Sequence, residues 1–364
     1  MRIVCLQENL KNNLNITQNI IGKNLTLPIL NNLLLESENG RLKISSTNLE
    51  IGINTWTSGK IEREGAITCP AKILFNFISN LPNKKIELEA KNNVLTVKCE
   101  NYKATIKGLP ADDFPIIPKI KNDPILEINN LSFKEGLMRV SGCAAISESR
   151  PEISGVFLNI NKEELKLVAT DSFRLAEKIE KIEKIKSEYL MIIPQRTAQE
   201  LIRILGEKEG ITKIILGSNQ ILFESGEIQI ISRLIDGQYP DYQQIIPKNF
   251  ITQLLLNKEE FLNAVRIAGF FSSKVNNIKF SIQTGKIEIL SQDPDLGENK
   301  TQIQAEVTGK GMEIEFNYRY LLDGLNNISA KQIFMGFSSE STAAVIKSAE
   351  NDDYLYVVMP IKTN

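Results

Sequence analysis

The sequence predicts an α+β fold: three tandem copies of one unit, each with two helices laid on one side of an antiparallel sheet. Internal markers and the chain length point to it. Three apolar strands end in a polar corner, Arg41–Asn48 (RLKISSTN), Glu164–Asp171 (ELKLVATD) and Lys286–Asp293 (KIEILSQD), and their ends lie 123 and 122 residues apart. Further along, each copy enters a helix at Pro70, Pro194 and Asn317, 124 and 123 residues apart. The pair Phe114-Pro115 returns as Tyr239-Pro240 after 125 residues. Self-similarity at one period and in one order marks a repeat architecture. A chain of 364 residues also exceeds the roughly 250–300 at which single cores stop growing. The three copies are expected at 1–122, 123–248 and 249–364.

Each copy opens with a segment of helical period. Leu10, Leu14 and Ile21 share a face in the first, Leu137, Val140 and Ala144 in the second, Phe261, Val265 and Ala268 in the third. The later helix repeats the pattern with Ile73/Phe77/Leu81, Leu201/Ile202/Leu205 and Leu321/Leu322/Leu325. Alternating stretches between them, such as Ile86–Ala90 and Gln229–Arg233, read as strands with one buried face. Proline-containing joints near Ile117–Pro124 and Pro247-Lys248 fall where copies meet and read as linkers. Copies of this kind form a curved array whose strands pair across copies and whose helices share one face. Closing the array into a ring would hide its open sheet edges.

The composition removes several function classes. Lysine plus arginine (43) nearly balances aspartate plus glutamate (44), which excludes a polybasic nucleic-acid coat and an acidic tail but leaves local patches open. No apolar run approaches the ~18–20 residues of a membrane span, and the first residues lack the apolar core of a secretory signal. Cys5, Cys69, Cys99 and Cys143 form no CxxC pair and read as buried thiols of a cytoplasmic protein. The chain has no histidine, so Ser-His-Asp and Cys-His nucleophilic sites and HExxH zinc sites are impossible. No phosphate loop or dinucleotide fingerprint occurs. No catalytic residue, metal or cofactor is expected. A carboxylate-only hydrolase, built on Asp171 and Asp293 or on Asp112 and Asp113, stays chemically open. Against it, Asp171 and Asp293 fill equivalent corners whose third member is Asn48, which points to side-chain oxygens capping turn amides.

Several stretches resemble the bacterial DNA polymerase III β subunit, or sliding clamp, family. Ala169–Ala176 (ATDSFRLA) is similar to its ATDxxRLA signature, and Leu234–Tyr242 (LIDGQYPDY) resembles its L[IV]DGxFPDY stretch. Thr26–Leu30 (TLPIL) and Val357–Ile361 (VVMPI) also match. The resemblance runs through the whole chain in order. It implies a head-to-tail homodimeric ring of six similar domains, helices inside, that encircles double-stranded DNA and catalyses nothing. The implied partners are the replicative polymerase, the clamp loader and other replication and repair proteins that carry a clamp-binding peptide. Twelve inner helices at roughly 8–10 Å spacing enclose a circle about 31–38 Å across. Less one helix diameter of about 10 Å, the hole admits a duplex.

The resemblance also assigns residues. A peptide pocket between the second and third copies is expected to include Ile153, Gly155, Thr170, Ser172, Arg174, Leu175, Pro240, Ile245, Thr342, Ala344, Val357, Met359, Pro360 and Ile361. Arg174 is expected to bind polar groups of the peptide; Leu175 and Val357 read equally well as ordinary core residues. Ring closure is expected to set Ile106, beside Ala104, against Phe270 and Phe271 of the other chain. Lys23, Arg150, Lys274, Lys72, Arg196 and Arg203 are expected to face DNA. Lys23, Arg150 and Lys274 follow the first helix of each copy at offsets of 127 and 124, those of Leu10, Leu137 and Phe261. Cations that complement a helix C-terminus are the structural alternative. The sequence departs from the family at Phe173, Gln244, Ala104 and the polar ending Ile361–Asn364, which affects the pocket rim and the closure. A repeat scaffold that binds proteins but never DNA is the other non-enzymatic reading.

Overall fold

The computed structural model describes residues 1–21, 26–206 and 209–361. Six α-helices occur among them: α1 Gln7–Thr17, α2 Ala71–Ser79, α3 Asn130–Ser141, α4 Gln195–Leu205, α5 Lys258–Gly269 and α6 Tyr318–Asn326. The chain forms two compact units, residues 1–131 with 200–234 and residues 132–199 with 235–364. All three divisions fall inside the second copy, because sheet hydrogen bonds join strands of neighbouring copies.

Unit 1 holds a five-stranded antiparallel sheet in the order Gly59–Arg63, Arg2–Leu6, Lys85–Lys91, Val94–Cys99, Tyr102–Lys107. Its second sheet has eight strands: Leu126–Asn129, Ile211–Leu216, Gln220–Ser225, Ile228–Arg233, Ile51–Thr57, Arg41–Thr47, Asn32–Glu38, Ala66–Pro70. The first four of these come from the second copy and the last four from the first, so the expected pairing across copies is present. It occurs at Ile228–Arg233 against Ile51–Thr57, with Ser232 opposite Ile51. Unit 2 repeats the scheme in a nine-stranded sheet, where Arg174–Lys181 pairs Tyr354–Val358 and Arg174 sits opposite Val358. Its four-stranded sheet runs Gly297–Gln304, Lys286–Asp293, Asn277–Gln283, Met312–Asn317.

The strands alternate as period-two patterning requires. Ile86, Leu88 and Ala90 are buried while their neighbours stay accessible. In unit 1, Leu10 and Leu14 of α1 and Leu74 and Ile78 of α2 join Ile3, Leu88, Leu35 and Ile44 in one core drawn from both sheets. In unit 2, Phe261 of α5 packs edge-on to Phe280, which continues to Phe316 and Phe337 at ring separations of 5.5 and 6.3 Å.

Two helix assignments shift. In α2 the buried residues are Ala71, Leu74 and Ile78, while Ile73 is 57% exposed, so the face centred on Ile73 and Phe77 was one residue out of phase. The first helices also align differently across copies. Their entry amides make the same bond, Gln7 to Lys84, Asn130 to Gly210 and Lys258 to Lys331, which makes Leu10, Phe133 and Phe261 equivalent positions, all fully buried. Leu137 lies one turn later. The true helix offsets are therefore 123 and 128, and the shared spacing with Lys23, Arg150 and Lys274 disappears.

Candidate partner groove and charged surface

The three corners behave alike. The side-chain oxygen Oδ1 of Asn48 accepts from the amides of Glu50 and Ile51 at 3.0 and 2.7 Å. Asp171 accepts from Phe173 and Arg174 at 2.9 and 3.0 Å. Asp293 accepts from Asp295 and Leu296 at 2.9 and 3.1 Å. These are Asx turns, in which Oδ1 of each corner residue caps two backbone amides. No cluster of three or more candidate metal ligands occurs among the described residues. Cys5, Cys69, Cys99 and Cys143 are free and buried. Burial pushes the Cys5, Cys69 and Cys143 thiols up to about 12, far from the thiolate that reactive cysteines require.

In unit 2 the paired strands Arg174–Lys181 and Tyr354–Val358 set Leu175 opposite Val357. Ile153, Leu175 and Val357 are at most 2% exposed and belong to one apolar cluster with Phe157, Tyr239 and Tyr242. Leu175 and Val357 thus lie in the core. The Phe157 and Tyr239 rings stack at 4.6 Å, and Tyr242 meets them edge-on while donating its hydroxyl proton to Glu177. This aromatic layer was not predicted. Its signal was present in the spacing of Tyr239 and Tyr242, but the partner Phe157 lies on a distant strand. Gly155 is packed rather than open, since a Cβ there would come within 2.3 Å of the Ile193 carbonyl oxygen. Ala344 and Pro360 are buried, whereas Ser172, Pro240, Ile245, Thr342 and Met359 are exposed and Ile361 is half-buried. Met359 and Ile361 are tied down through their amides, which donate to the carbonyls of Phe173 and Glu315 at 2.8 Å.

Arg174 differs most from expectation. Its Nε donates to Asp171 at 2.9 Å, Nη1 to Asp323 and Nη2 to the Gly142 carbonyl at 2.9 Å. Its guanidinium also lies over the Tyr320 ring, 4.6 Å from the centroid. With 13% of the side chain exposed, it acts as a staple joining the Asp171 corner to α3 and α6. Phe173, 60% exposed and stacked at 6.5 Å on Tyr320, extends the apolar rim.

The basic residues divide by environment. Lys72, Arg150, Arg196 and Lys274 are exposed, and Arg150 donates to the Ser172 hydroxyl at 2.6 Å. Lys23 lies outside the described residues. Arg203 is bonded within the chain: Nη2 donates to the Ile16 carbonyl at 2.7 Å, Nη1 to Asn15 at 3.3 Å, and Nε to Glu200 at 2.8 Å. It satisfies the carbonyls ending α1, the structural alternative for cations. Ile106 is 5% exposed within a single chain and packs in that chain's own core. Phe270, by contrast, is 70% exposed at the end of α5, beside a half-buried Phe271.

No helix among the described residues is long and apolar enough to cross a membrane. Family models for the N-terminal, central and C-terminal domains of the DNA polymerase III beta subunit match residues 1–118, 127–241 and 243–362. The beta sliding clamp of Pseudomonas aeruginosa is 30% identical over 370 residues, covering both chains completely. That of Synechococcus elongatus is 29% identical over 374 residues, covering all of this chain and 99% of the relative. Among solved structures, a P. aeruginosa sliding clamp bound to griselimycin superposes with a TM-score of 0.94 at 29% identity, and a Bacillus subtilis sliding clamp with 0.96 at 25%, each over both full chains. The repeated α+β units, the Asx corners in place of catalytic carboxylates and these full-length matches agree: the chain belongs to the DNA polymerase III beta subunit family, the non-catalytic beta sliding clamps.

Proposed function

We propose that two copies of this chain close head to tail into a ring around duplex DNA, and that each copy holds the replicative polymerase through a short apolar peptide in the unit 2 groove. The observation that carries this reading is a junction made twice within the chain. In unit 1 the Trp56 amide donates to Glu227 and the Arg233 amide to Glu50; in unit 2 Ile179 donates to Asp353 and Met359 to Phe173. The two sets are related by steps of 123 residues on one strand and 126 on the other. One further step pairs strand Tyr102–Lys107 with strand Gly297–Gln304, and both are edges of their sheets. The pattern sets the Gln302 amide against the Asn101 carbonyl and the Lys107 amide against Leu296. A second copy supplies that missing partner, and closure removes two open edges that would otherwise template aggregation.

Phe270 and Phe271 would be covered in the same assembly. Exposed Lys72, Arg150, Arg196 and Lys274, with Lys23, would give DNA weak phosphate contacts without base contacts, which position a duplex and leave it free to slide. The copies would then correspond to domains 1–122, 123–248 and 249–364. The clamp loader and repair proteins carrying a similar peptide would share the groove, in the cytoplasm. Loaded protein should stay on nicked circular DNA through gel filtration at high salt and leave once the circle is cut. Equal loss from both forms would exclude topological binding and favour a scaffold or an ordinary DNA binder.

A further inference from the structure

The repeat that builds the partner groove in unit 2 also runs through unit 1, and there it leaves a cavity of about 190 Å³. The cavity lies where the Asn48 corner meets the linker at Pro115–Pro118 and the strand end at Ile231–Arg233. Each part has a counterpart in the unit 2 groove. Thr47 and Leu49 match Thr170 and Ser172 at the corner spacing, and Leu49 and Ser172 share left-handed φ values of 75° and 79°. Ile231 and Arg233 match Val357 and Met359 at the 126-residue spacing of the flanking amide bonds. In the linker, Ile116–Lys119 (IIPK) recurs as Ile245–Lys248 (IIPK), preceded in both cases by an aromatic-proline pair.

We propose that this cavity is a second docking groove for a short extended peptide with one bulky apolar side chain, a segment of the same class of partner protein that the unit 2 groove takes. The inference rests on that groove's assignment above. Its apolar base is Ile231, packed with Ile215 and Leu222 and covered by Ile117. Its lip carries Ile116 and Leu49, 92% and 47% exposed. Large apolar side chains left in water beside a preformed apolar cavity favour a partner side chain that covers them.

The differences predict weaker binding. Gly52 stands where unit 2 has Leu175, and a Cβ on Gly52 would meet Ile117 at 2.8 Å. The linker's own side chain thus fills space that Leu175 lines in unit 2. The reason is length: the second linker contains Asp241–Gln244 between its proline and its isoleucines, and the first has no equivalent. Arg233 and Glu50 replace Met359 and Phe173 on the lip, one charge of each sign, so apolar contact is reduced without a net charge to compensate. The second groove should bind at least about ten-fold more weakly than the first.

The test uses the full-length chain and an acetylated Gln-Leu-Asp-Leu-Phe peptide carrying a photo-crosslinker, titrated to millimolar concentration with adducts mapped by mass spectrometry. Two saturable phases are expected, first in unit 2 and then at residues 115–118 or 231–233. Ile116→Asp, at an exposed position, should abolish only the later phase. Truncation after Val358 should abolish only the earlier one. Adducts confined to unit 2 at every concentration, or a later phase indifferent to Ile116→Asp, would overturn the second groove alone. Adducts at neither groove would overturn both assignments together.

Discussion

Asp171 does two jobs with one carboxylate: Oδ1 closes the turn and Oδ2 holds Arg174. Asp293 makes the same pair of turn bonds with no arginine bonded to it among the described residues, so it serves as an internal control. Replacing Asp293 by Ala should cost the turn bonds, about 1–3 kcal/mol at roughly 0.5–1.5 each. Asp171→Ala should cost more, about 3–5 kcal/mol, because it also removes one of the two carboxylates paired with a largely buried guanidinium. Asp171→Asn keeps the turn acceptor and should fall between the parent and Asp171→Ala in urea unfolding; an Asn variant as damaged as Ala would assign the whole effect to the lost Arg174 pair rather than to the turn. The turn role was legible in the sequence, since Asn48, Asp171 and Asp293 share a corner that either an amide or a carboxylate can cap. The employment of Arg174 was not. Its partner Asp323 lies 149 residues away, and no local pattern announces a contact of that separation.

Helix α2 marks the limit of periodicity as a guide. Ile73, Leu74, Phe75, Phe77 and Ile78 crowd nine residues with apolar side chains, so several faces fit a helical period and packing alone selects one. Leu74→Ala should therefore cost about 2–5 kcal/mol, as for a fully buried leucine. Ile73→Ala should stay within about 0.5 kcal/mol, as surface changes do; a large loss at Ile73 would restore the phase read from sequence. The strand ending at Val358 poses a different question. Its tail is fixed by the Met359 and Ile361 amides, while Val357 stays in the core regardless. Truncation after Val358 should leave thermal unfolding within a few degrees of the full chain, yet weaken a Gln-Leu-x-Leu-Phe peptide at least ten-fold in fluorescence anisotropy. Unchanged peptide affinity would remove Met359, Pro360 and Ile361 from the groove.

Two assembled junctions and one unfilled pair of edges set the logic of the whole chain. Antiparallel strands, helix pairs and the number of copies could be read from period and spacing, because each is a local pattern repeated. The proposed seam is not such a local pattern: the resemblance places Ile106 against Phe270 and Phe271, and the fold adds an open backbone edge at Tyr102–Lys107. That edge calls for its own experiment. Lys107→Pro removes the outward amide that the repeat sets against Leu296, and Lys107 is exposed, so no core contact is lost. Within the chain the turn bond is made by the next amide, Gly108 to Asn93, and strand-edge prolines are tolerated. Monomer stability should hardly move. The dimer should weaken by about 0.5–1.5 kcal/mol per seam, roughly two- to ten-fold in each contact, and twice that in free energy for a ring with two seams. Phe270→Asp with Phe271→Asp should act through the apolar contact instead and give monomers, because a carboxylate buried without a partner is costly. Sedimentation at several concentrations distinguishes the two. A Lys107→Pro ring as tight as the parent, beside a double aspartate variant that dissociates, would mean that side chains at the end of α5 close the ring and that the strand edges do not pair.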